Sequence, residues 1–415
     1  MSIDTTVSAA DETERASEAP RRGLPGPERA WIVTTSKCNL NCVHCARSIS
    51  EFREFAENTP DMEEAMFETF LQQVGPSLRT VQIGGTNLGE PMFSRKLEDH
   101  IDRLLELEHV EEIKLQTNGT YLLNTERMER LVRQGVRIMV SLEGVTERSY
   151  ENIRGVKFVR VRDALVELKK IRARYPESRS ELLLAFTVSY DTLAELVPLV
   201  ELAFEVGASQ VTVSHFVAIR QAHRYQSLVY HRGAANDAFA AAEARARALG
   251  VHYVGPEPFD IAPLAEGAEL ANAVRSEPPC FHPWKSVSVS ENGDVMPCCA
   301  TNTVMGNLTK NDFETIWNSK RYRRLRERVN SSRPPSYCRG CLLRGVDLDS
   351  PNAKLYTDES FLLRSVGPDS DPSSVSDLFA GVGRSLVHRV RRGFRSDGVA
   401  KRLALALRRF YLAHK

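Results

Sequence analysis

The chain has 415 residues, of which 42% are apolar and 26% are charged, and its formal net charge is +1. This composition is typical of a soluble globular protein with room for one large domain and a smaller one. No apolar run reaches the length of a membrane span, and the first thirty residues lack a hydrophobic signal segment. We therefore expect a cytoplasmic protein whose clustered cysteines stay reduced, and we expect no nucleic acid as a partner.

Short β-branched runs alternate with amphipathic helical patterns, after an N-terminal segment (residues 1–29) that is expected to be disordered. The predicted strands are Trp31–Thr34, Thr80–Ile83, Glu112–Leu115, Arg137–Ser141, Leu182–Val188 and Gln210–Ser214. The predicted helices lie near residues 61–74, 94–107, 124–134, 160–174, 191–206 and 234–249. Such alternation predicts an α/β fold with a parallel sheet. Sheets of this kind close into a barrel or partial barrel, with the chemistry at the carboxyl ends of the strands.

The first predicted strand is followed by three cysteines in the spacing C-x3-C-x2-C, at Cys38, Cys42 and Cys45. Three thiolates on one short loop can bind three irons of a [4Fe–4S] cluster and leave the fourth iron without a protein ligand. An open coordination position is typical of catalytic metal sites. Part of a zinc site is the alternative, but His44 is poorly placed to complete one. The loop therefore favours a redox enzyme.

Glycine and polar residues follow the other predicted strands on the same face of the sheet. Gly84 and Gly85 would let a ligand approach the backbone closely, and Glu90 adds a carboxylate that could accept an ammonium group. The candidates after later strands are Asn118, Ser141, Glu143 and His215. Each also has a simpler interpretation, as a turn, a helix cap or a buried structural histidine. Together they are what an active site at one end of a barrel requires.

A linker and a second group of cysteines follow the strand–helix repeats. Clustered prolines predict the linker over residues 255–279, and a cysteine-bearing segment covers residues 280–345. Its cysteines are Cys280, Cys298, Cys299, Cys338 and Cys341.

The C-terminal part, residues 346–415, is predicted to be a loop followed by a basic amphipathic helical tail. Residues 381–415 contain ten lysines and arginines against one acid, Asp397. The apolar residues Val399, Leu403, Ala406, Leu407 and Phe410 follow helical spacing. Such a helix can lie on an anionic membrane surface or bind an acidic partner. A helix packed on the barrel and a solvated tail are the alternatives.

These motifs together resemble those of radical S-adenosylmethionine (SAM) enzymes. The matching elements are the cysteine loop, residues 84–91, residues 117–119, residues 140–144 and residues 150–155. The resemblance implies a partial (β/α)6 TIM-like barrel. It also implies that the open iron of the cluster is chelated by the amino and carboxylate groups of SAM.

The same resemblance implies a set of SAM contacts. They are Gly84, Gly85, Glu90, Asn118, Ser141, Glu143 and Arg154. Glu90 and the glycine backbone are expected to hold the methionine ammonium. Ser141 and Glu143 are expected near the ribose, and Arg154 near the SAM carboxylate. The chain departs from the usual pattern in having His44 where an aromatic residue is common, and Glu143 where an aspartate is common.

The second cysteine group resembles the SPASM/twitch extension of these enzymes, and its spacing is most like the shorter twitch form. This implies one auxiliary [4Fe–4S] cluster bound by Cys280, Cys298, Cys338 and Cys341, with a four-cysteine zinc site as the alternative. Cys299 is left over. It could be a small buried residue, an alternative ligand to Cys298, or a thiol that returns a hydrogen atom to a substrate radical.

The resemblance implies that an electron from flavodoxin or ferredoxin cleaves SAM to methionine and a 5′-deoxyadenosyl radical, which abstracts a hydrogen atom from the substrate. We predict oxidation of a small hydroxylated substrate (an aminocyclitol, a sugar or a lipid-linked sugar), with the auxiliary cluster as electron acceptor and His215 as base. One alternative is a peptide-modifying enzyme that acts on a ribosomal precursor, although no leader-binding domain is recognised before residue 30. The other is a redox-neutral epimerase with Cys299 as hydrogen donor.

Overall fold

The computed structural model describes residues 24–85, 88–218, 221–261, 279–338 and 341. The strands are β1 (Arg29–Ile32), β2 (Thr80–Ile83), β3 (Glu112–Thr117), β4 (Arg137–Leu142), β5 (Leu182–Val188), β6 (Gln210–His215), β7 (His252–Val254), β8 (Ser286–Val289), β9 (Asp294–Met296) and β10 (Gly306–Asn307). The α-helices are α1 (Ser50–Asn58), α2 (Glu64–Gln73), α3 (Leu97–Leu105), α4 (Thr125–Arg133), α5 (Glu147–Arg154), α6 (Phe158–Arg174), α7 (Leu196–Val206), α8 (Arg232–Leu249), α9 (His282–Lys285), α10 (Phe313–Trp317) and α11 (Lys320–Val329).

The strands of the described residues form one sheet in the order β10-β9-β8-β1-β2-β3-β4-β5-β6-β7. Strands β1 to β7 are parallel to their neighbours, and β8 pairs with β1 in parallel as well. Strands β9 and β10 extend the same sheet as antiparallel strands. The parallel α/β sheet predicted from the sequence is confirmed, and its strand order is consistent with a partial TIM barrel. The C-terminal segment continues this sheet beyond β1.

Side chains alternate between the two faces of the sheet, as the pleat of a strand requires. On one face, residues such as Ile32, Ile83 and Leu115 are fully buried in the core. On the other face, Gln82 and Ser141 are only half-buried. Fully burying a leucine or isoleucine contributes roughly 1.5–3 kcal/mol. The first face therefore provides most of the stability, while the second is available for a site.

Local signals explain where several helices begin and end. The Asn124 side chain accepts a hydrogen bond from the backbone N–H of Arg127 (3.1 Å) and so caps the N-terminus of α4. The helix predicted near residues 191–206 begins as a 3₁₀ turn over Tyr190–Glu195 and becomes α-helical at Leu196. Pro198, in the first turn of α7, has no N–H to donate and is tolerated there. Helices α1 and α5 and the short strand β7 were not predicted.

Some predicted features lie outside the described residues. They include most of the N-terminal segment, residues 262–278 of the linker and all of residues 346–415. The predicted domain boundaries therefore stay predictions. No helix in the described ranges is both long enough and apolar enough to cross a membrane.

Candidate active site

Cys38, Cys42 and Cys45 lie on the loop that leaves β1, at the carboxyl end of the parallel strands, and all three are half-buried. The backbone N–H groups of Leu40 and Arg47 point at the sulfur atoms of Cys38 (3.4 Å) and Cys45 (3.5 Å), respectively. The N–H of Cys45 donates to the carbonyl oxygen of Cys42 (3.0 Å), which tightens the loop. Amide donors directed at sulfur stabilise the thiolate form that binds metal.

Burial opposes the ionisation of these thiols. Burial raises the pKa of all three, and it raises that of Cys42 to about 12. Such thiols stay protonated at neutral pH until a metal replaces the proton. Three cysteines on one loop with amides directed at two of their sulfur atoms therefore fit three irons of a cluster.

The buried Arg47 side chain fixes the shape of this loop. Its guanidinium donates to the carbonyl oxygens of Ser36 (3.2 Å) and Cys38 (3.5 Å), and it forms an ion pair with Glu57 (3.4 Å). A fork of N–H donors can hold several acceptors at once in a fixed geometry. Arg47 was not predicted, because a single arginine after a cysteine motif carries no recognisable pattern.

Glu90 joins three segments around the site and is only 2% exposed. One carboxylate oxygen accepts from the N–H of Met92 (3.0 Å) and the hydroxyl of Thr117 (2.7 Å), and the other accepts from the N–H of Asn118 (2.6 Å). The N–H of Glu90 donates to the carbonyl oxygen of Lys37 (2.8 Å), next to the cysteine loop. A carboxylate accepts about four hydrogen bonds, and the described residues supply three of them.

Asn118 connects the end of β3 to the cysteine loop. Its side-chain N–H₂ donates to the Asn39 side chain (2.9 Å) and lies 3.8 Å from the sulfur of Cys38. Gly84, after β2, has φ +85°, and a Cβ there would lie 2.7 Å from the carbonyl oxygen of Gln116. Gly85 has φ +82°. The glycines are thus required by close packing between the ends of β2 and β3.

A row of polar side chains crosses the half-buried face of the sheet. The Gln82 amide donates to the Gln116 side chain (3.1 Å), and the Gln116 amide donates to the Ser141 hydroxyl (3.1 Å). The three residues belong to β2, β3 and β4. Ser141 was predicted from the sequence as a site residue, whereas Gln82 and Gln116 were not. The sequence pattern that could have identified them is a polar residue at every second position of an otherwise apolar strand.

Glu143 and Arg154 form an ion pair beside the cysteine loop. Their side chains are 15% and 4% exposed. The Arg154 guanidinium lies over the Tyr150 ring (5.5 Å), and the N–H of Val43 donates to the carbonyl oxygen of Ile153 (2.9 Å), which docks α5 on the loop. The two residues were expected to meet different parts of SAM, but in the structure they contact each other.

His44 faces the ends of β5 and β6. Its ring lies 4.3 Å from the ring of Phe216 and 5.6 Å from that of His223. Nearby, the Gln226 amide donates to the Asp191 carboxylate (2.6 Å). Exposed aromatic residues follow β5 and β6 along the chain, and the hydroxyl of one of them donates to the same Asp191 carboxylate (3.4 Å); they are Tyr190, Tyr225 and Tyr230. We call these three the aromatic rim.

His215 does not lie in the site. It is 5% exposed and packs between Phe239 of α8 (5.9 Å) and Phe259 (5.0 Å). The preceding Ser214 takes the half-buried face, so the alternation of β6 directs His215 to the helix-covered face. Burial lowers its pKa to about 3, which leaves a neutral imidazole. The prediction of His215 as the base is not supported by this placement.

Four cysteines of the C-terminal segment line one small cavity, together with mainly apolar residues such as Pro297. They are Cys280, Cys298, Cys338 and Cys341, the four ligands expected for the auxiliary cluster. Cys299 is not among the lining residues. Burial raises the pKa of Cys298 and of Cys299 alike, so their ionisation does not distinguish the two thiols. The cavity therefore favours Cys298 over Cys299 as the ligand.

Two family models match the chain. The radical SAM superfamily model matches residues 32–199, and the SPASM model, an iron–sulfur cluster-binding domain, matches residues 280–342. The PqqA peptide cyclase of Gluconobacter oxydans is 28% identical over 307 residues, which is 71% of this chain and 78% of that protein. The AdoMet-dependent heme synthase of Methanosarcina barkeri is 28% identical over 322 residues, 72% of this chain and 84% of that protein.

Solved structures share the fold. Streptococcus suis SuiB bound to its precursor peptide SuiA has a TM-score of 0.53 at 15% identity, over 75% of this chain and 68% of that one. The enzyme anSMEcpe with bound AdoMet has a TM-score of 0.54 at 14% identity, over 91% of this chain and 99% of that one.

The radical SAM resemblance is confirmed, but the narrower likeness to twitch-type cyclitol dehydrogenases is not supported. The second domain matches the SPASM model, and the curated relatives include peptide cyclases. The two matched domains imply SAM, a SAM-binding [4Fe–4S] cluster and an auxiliary cluster. The chain thus combines a radical SAM domain (residues 32–199) with a C-terminal SPASM domain (residues 280–342).

Proposed function

We propose that this enzyme modifies a peptide through a substrate radical. The observation that carries the proposal is the likeness to PqqA peptide cyclases, at 25–28% identity over 71–78% of this chain, which spans both domains. Oxidation of a small hydroxylated substrate was our first expectation, and the curated relatives favour the peptide alternative over it. A peptide crosslink or a related oxidation of a peptide residue is therefore the preferred reaction.

The cysteine loop and its neighbours would hold the cofactors. When bound, SAM and the reduced cluster supply a carbon-centred radical that takes a hydrogen atom from a C–H bond. Cys38, Cys42 and Cys45 would bind three irons and leave the fourth open. Arg47 keeps the loop in shape, and Glu90, which accepts three hydrogen bonds from the described residues, would use its remaining acceptor capacity for an ammonium group. The row formed by Gln82, Gln116 and Ser141 offers polar atoms on the same side of the sheet.

The aromatic rim is the feature of the site that suits a peptide. Tyr190, Tyr225 and Tyr230 are 44%, 54% and 48% exposed, and they follow β5 and β6 along the chain. Tyr190 stacks on His231 (3.5 Å), which holds its ring in place. Exposed aromatic rings are enriched at protein interfaces, because they offer apolar area and a polar tip. A small polyol would instead need closely spaced hydrogen-bonding groups.

The SPASM cavity would keep its cluster away from the substrate. Four cysteine ligands leave no iron position open, so the cysteines of this cavity can support electron transfer or the fold, but they cannot present an iron to the substrate. An electron removed from a substrate radical during crosslinking could pass to this site. A reduced flavodoxin or ferredoxin is the proposed donor for the first site.

The proposal is tested by anaerobic reconstitution and incubation with SAM, a reductant and candidate peptides, cyclitols and sugars. We expect 5′-deoxyadenosine to accumulate together with a peptide that has lost two hydrogen atoms by mass spectrometry. A cyclitol oxidised to a ketone, with all peptides unchanged, would overturn the proposal in favour of the dehydrogenase. Solvent deuterium entering a product without loss of hydrogen would instead indicate an epimerase.

Substitutions at the aromatic rim sharpen this test. Tyr190→Ala should raise the KM for the peptide by about tenfold, because a buried aromatic contact contributes on the order of 1–2 kcal/mol at an interface. Phe204→Ala is the matched control, since Phe204 is also exposed but lies on α7, away from the strand ends. Equal KM values for both variants would show that the aromatic rim does not bind the peptide.

A further inference from the structure

Helix α11 forms part of the wall around the auxiliary cysteine cavity. Leu325 and Val329 line the cavity, and Tyr322 and Arg326 are buried on the same side of the helix. Residues three and four positions apart share one face of a helix, which places these four together. Two polar residues therefore stand in an otherwise apolar layer beside the four cysteines.

Arg326 is a buried cation without a carboxylate partner in the described part of the chain, and it is 9% exposed. Its Nε donates to the carbonyl oxygen of Pro283 (2.9 Å), itself a lining residue, and one Nη donates to the carbonyl oxygen of Trp317 (2.8 Å). The guanidinium lies over the rings of Trp317 (4.4 Å) and Tyr322 (4.8 Å). Its second Nη is buried and has no hydrogen-bond partner among the described residues.

The Tyr322 hydroxyl is a second buried donor without a partner in the described ranges. Burial raises the pKa of this phenol, the Arg326 cation opposes that rise, and Cys298 adds to it. The phenol therefore lies within electrostatic reach of a cysteine that lines the cavity. Buried polar groups in native proteins nearly always have a partner. Both side chains lie on the helix face that carries the lining residues Leu325 and Val329, and both keep a donor for which the described residues supply no acceptor.

We propose that Tyr322 and Arg326 form a positive, hydrogen-bonding wall that stabilises the reduced form of the auxiliary cluster and so raises its reduction potential. Reduction adds one negative charge to the cluster. A fixed cation in a poorly solvated layer favours the form with more negative charge, and donors to sulfur act in the same direction. Groups outside the ligand set commonly tune metal centres in this way. The role holds whatever the substrate is.

The test is an EPR-monitored potentiometric titration of the reconstituted two-cluster enzyme with SAM bound. Since SAM binds only the open iron, its addition distinguishes the signals of the two sites. At a fixed applied potential, Arg326→Met should lower the ratio of reduced to oxidised auxiliary cluster about tenfold, which is 59 mV for a one-electron couple. Tyr322→Phe should lower the ratio about threefold, because it removes only the hydroxyl.

Two controls separate tuning from folding. Arg324→Gln removes the same charge from an exposed position of α11 and should leave the ratio within about twofold of the wild type, because solvent screens it. Arg326→Lys keeps the charge, so its auxiliary cluster should have a reduction potential close to that of the wild type. Iron and sulfide counts monitor the fold. If Arg326→Met fails to retain its iron, the ratio measured in Tyr322→Phe decides the proposal, because this variant keeps the packing of the aromatic ring. An unchanged ratio in Tyr322→Phe, with iron intact, would overturn the proposal.

Discussion

The two cysteine sites are built in opposite ways. The first takes its three cysteines from a single loop after β1, and its surroundings are polar and charged, with Glu90, Asn118 and the pair of Glu143 and Arg154 close by. The second collects its cysteines from separate segments between Cys280 and Cys341, and its wall is mainly apolar. The first site thus offers three cysteines, whereas the second offers four around one cavity.

This difference assigns the chemistry. Under the proposed function, three cysteine ligands leave one iron position for a cofactor, and the aromatic rim binds the substrate. If four cysteines bind the auxiliary cluster, none of its irons keeps a free position for a substrate. Both sites lie on one continuous sheet, because β8 pairs with β1. The SPASM segment is thus joined directly to the strand that carries the catalytic loop.

The largest effect is expected from Cys42→Ala in the first site. Removing one of three ligands should abolish SAM cleavage, lowering the rate by about a thousandfold or more. Iron should fall from about eight to about four atoms per chain, because only the auxiliary cluster remains. Anaerobic iron counts and 5′-deoxyadenosine formation measure both. Normal iron content in this variant would contradict the assignment of the loop.

Cys298→Ala should empty the second site and leave the first intact. SAM cleavage without substrate should persist, whereas peptide product should fall about a hundredfold, because the electron from the substrate radical loses its acceptor. Cys299→Ala is the matched control, since Cys299 does not line the cavity and should keep about eight irons. If Cys299→Ala lost iron and Cys298→Ala did not, Cys299 would be the ligand of the auxiliary cluster in place of Cys298. Loss of solvent deuterium exchange in that variant would support the epimerase alternative.

The contrast between the sites also explains what the sequence could predict. The ligands of the first site are neighbours along the chain, so their spacing alone indicated a cluster. Strand positions followed from β-branched runs, and every predicted strand overlaps one in the structure. The contacts of Glu90 with Met92, Thr117 and Asn118 could not be predicted, because they join segments that meet only in the folded sheet.

Other differences between expectation and structure have the same physical origin. His215 was placed in the site because it ends a strand, but the face it occupies depends on the register of β6 in the sheet. Gln82 and Gln116 were missed because a polar residue in a strand is informative only when its face is known. Cys298 and Cys299 are adjacent, and only the cavity distinguishes them.

A smaller effect is expected from Arg154→Met, which leaves the Glu143 carboxylate unpaired beside the cysteine loop. Breaking a buried ion pair by removing one partner typically destabilises a protein by about 3–5 kcal/mol. Denaturant unfolding of the variant should show a loss of this order. Arg162→Met is the matched control, because its ion pair with Glu205 is half exposed and should contribute about 1 kcal/mol or less. Equal stability losses in the two variants would contradict the structural role of Arg154.

The smallest effect on turnover is expected from His215→Phe, because the residue packs in the core between Phe239 and Phe259. Turnover should stay within about threefold of the wild type, whereas replacing a catalytic base would lower it about a hundredfold or more.

The same substitution should change how the free energy of unfolding depends on pH. Burial lowers the pKa of His215 to about 3 in the folded state, against about 6.5 when unfolded. Between these values the unfolded chain binds the extra proton, so this histidine makes stability fall as pH drops below about 6.5. Denaturant unfolding at pH 7 and pH 5 should show a smaller acid loss in His215→Phe than in the wild type. If His215→Phe lost as much stability at pH 5 as the wild type, the residue would not titrate as a buried histidine. If turnover collapsed while iron was retained, His215 would belong to the active site, and chemistry would not be confined to the polar face of the sheet.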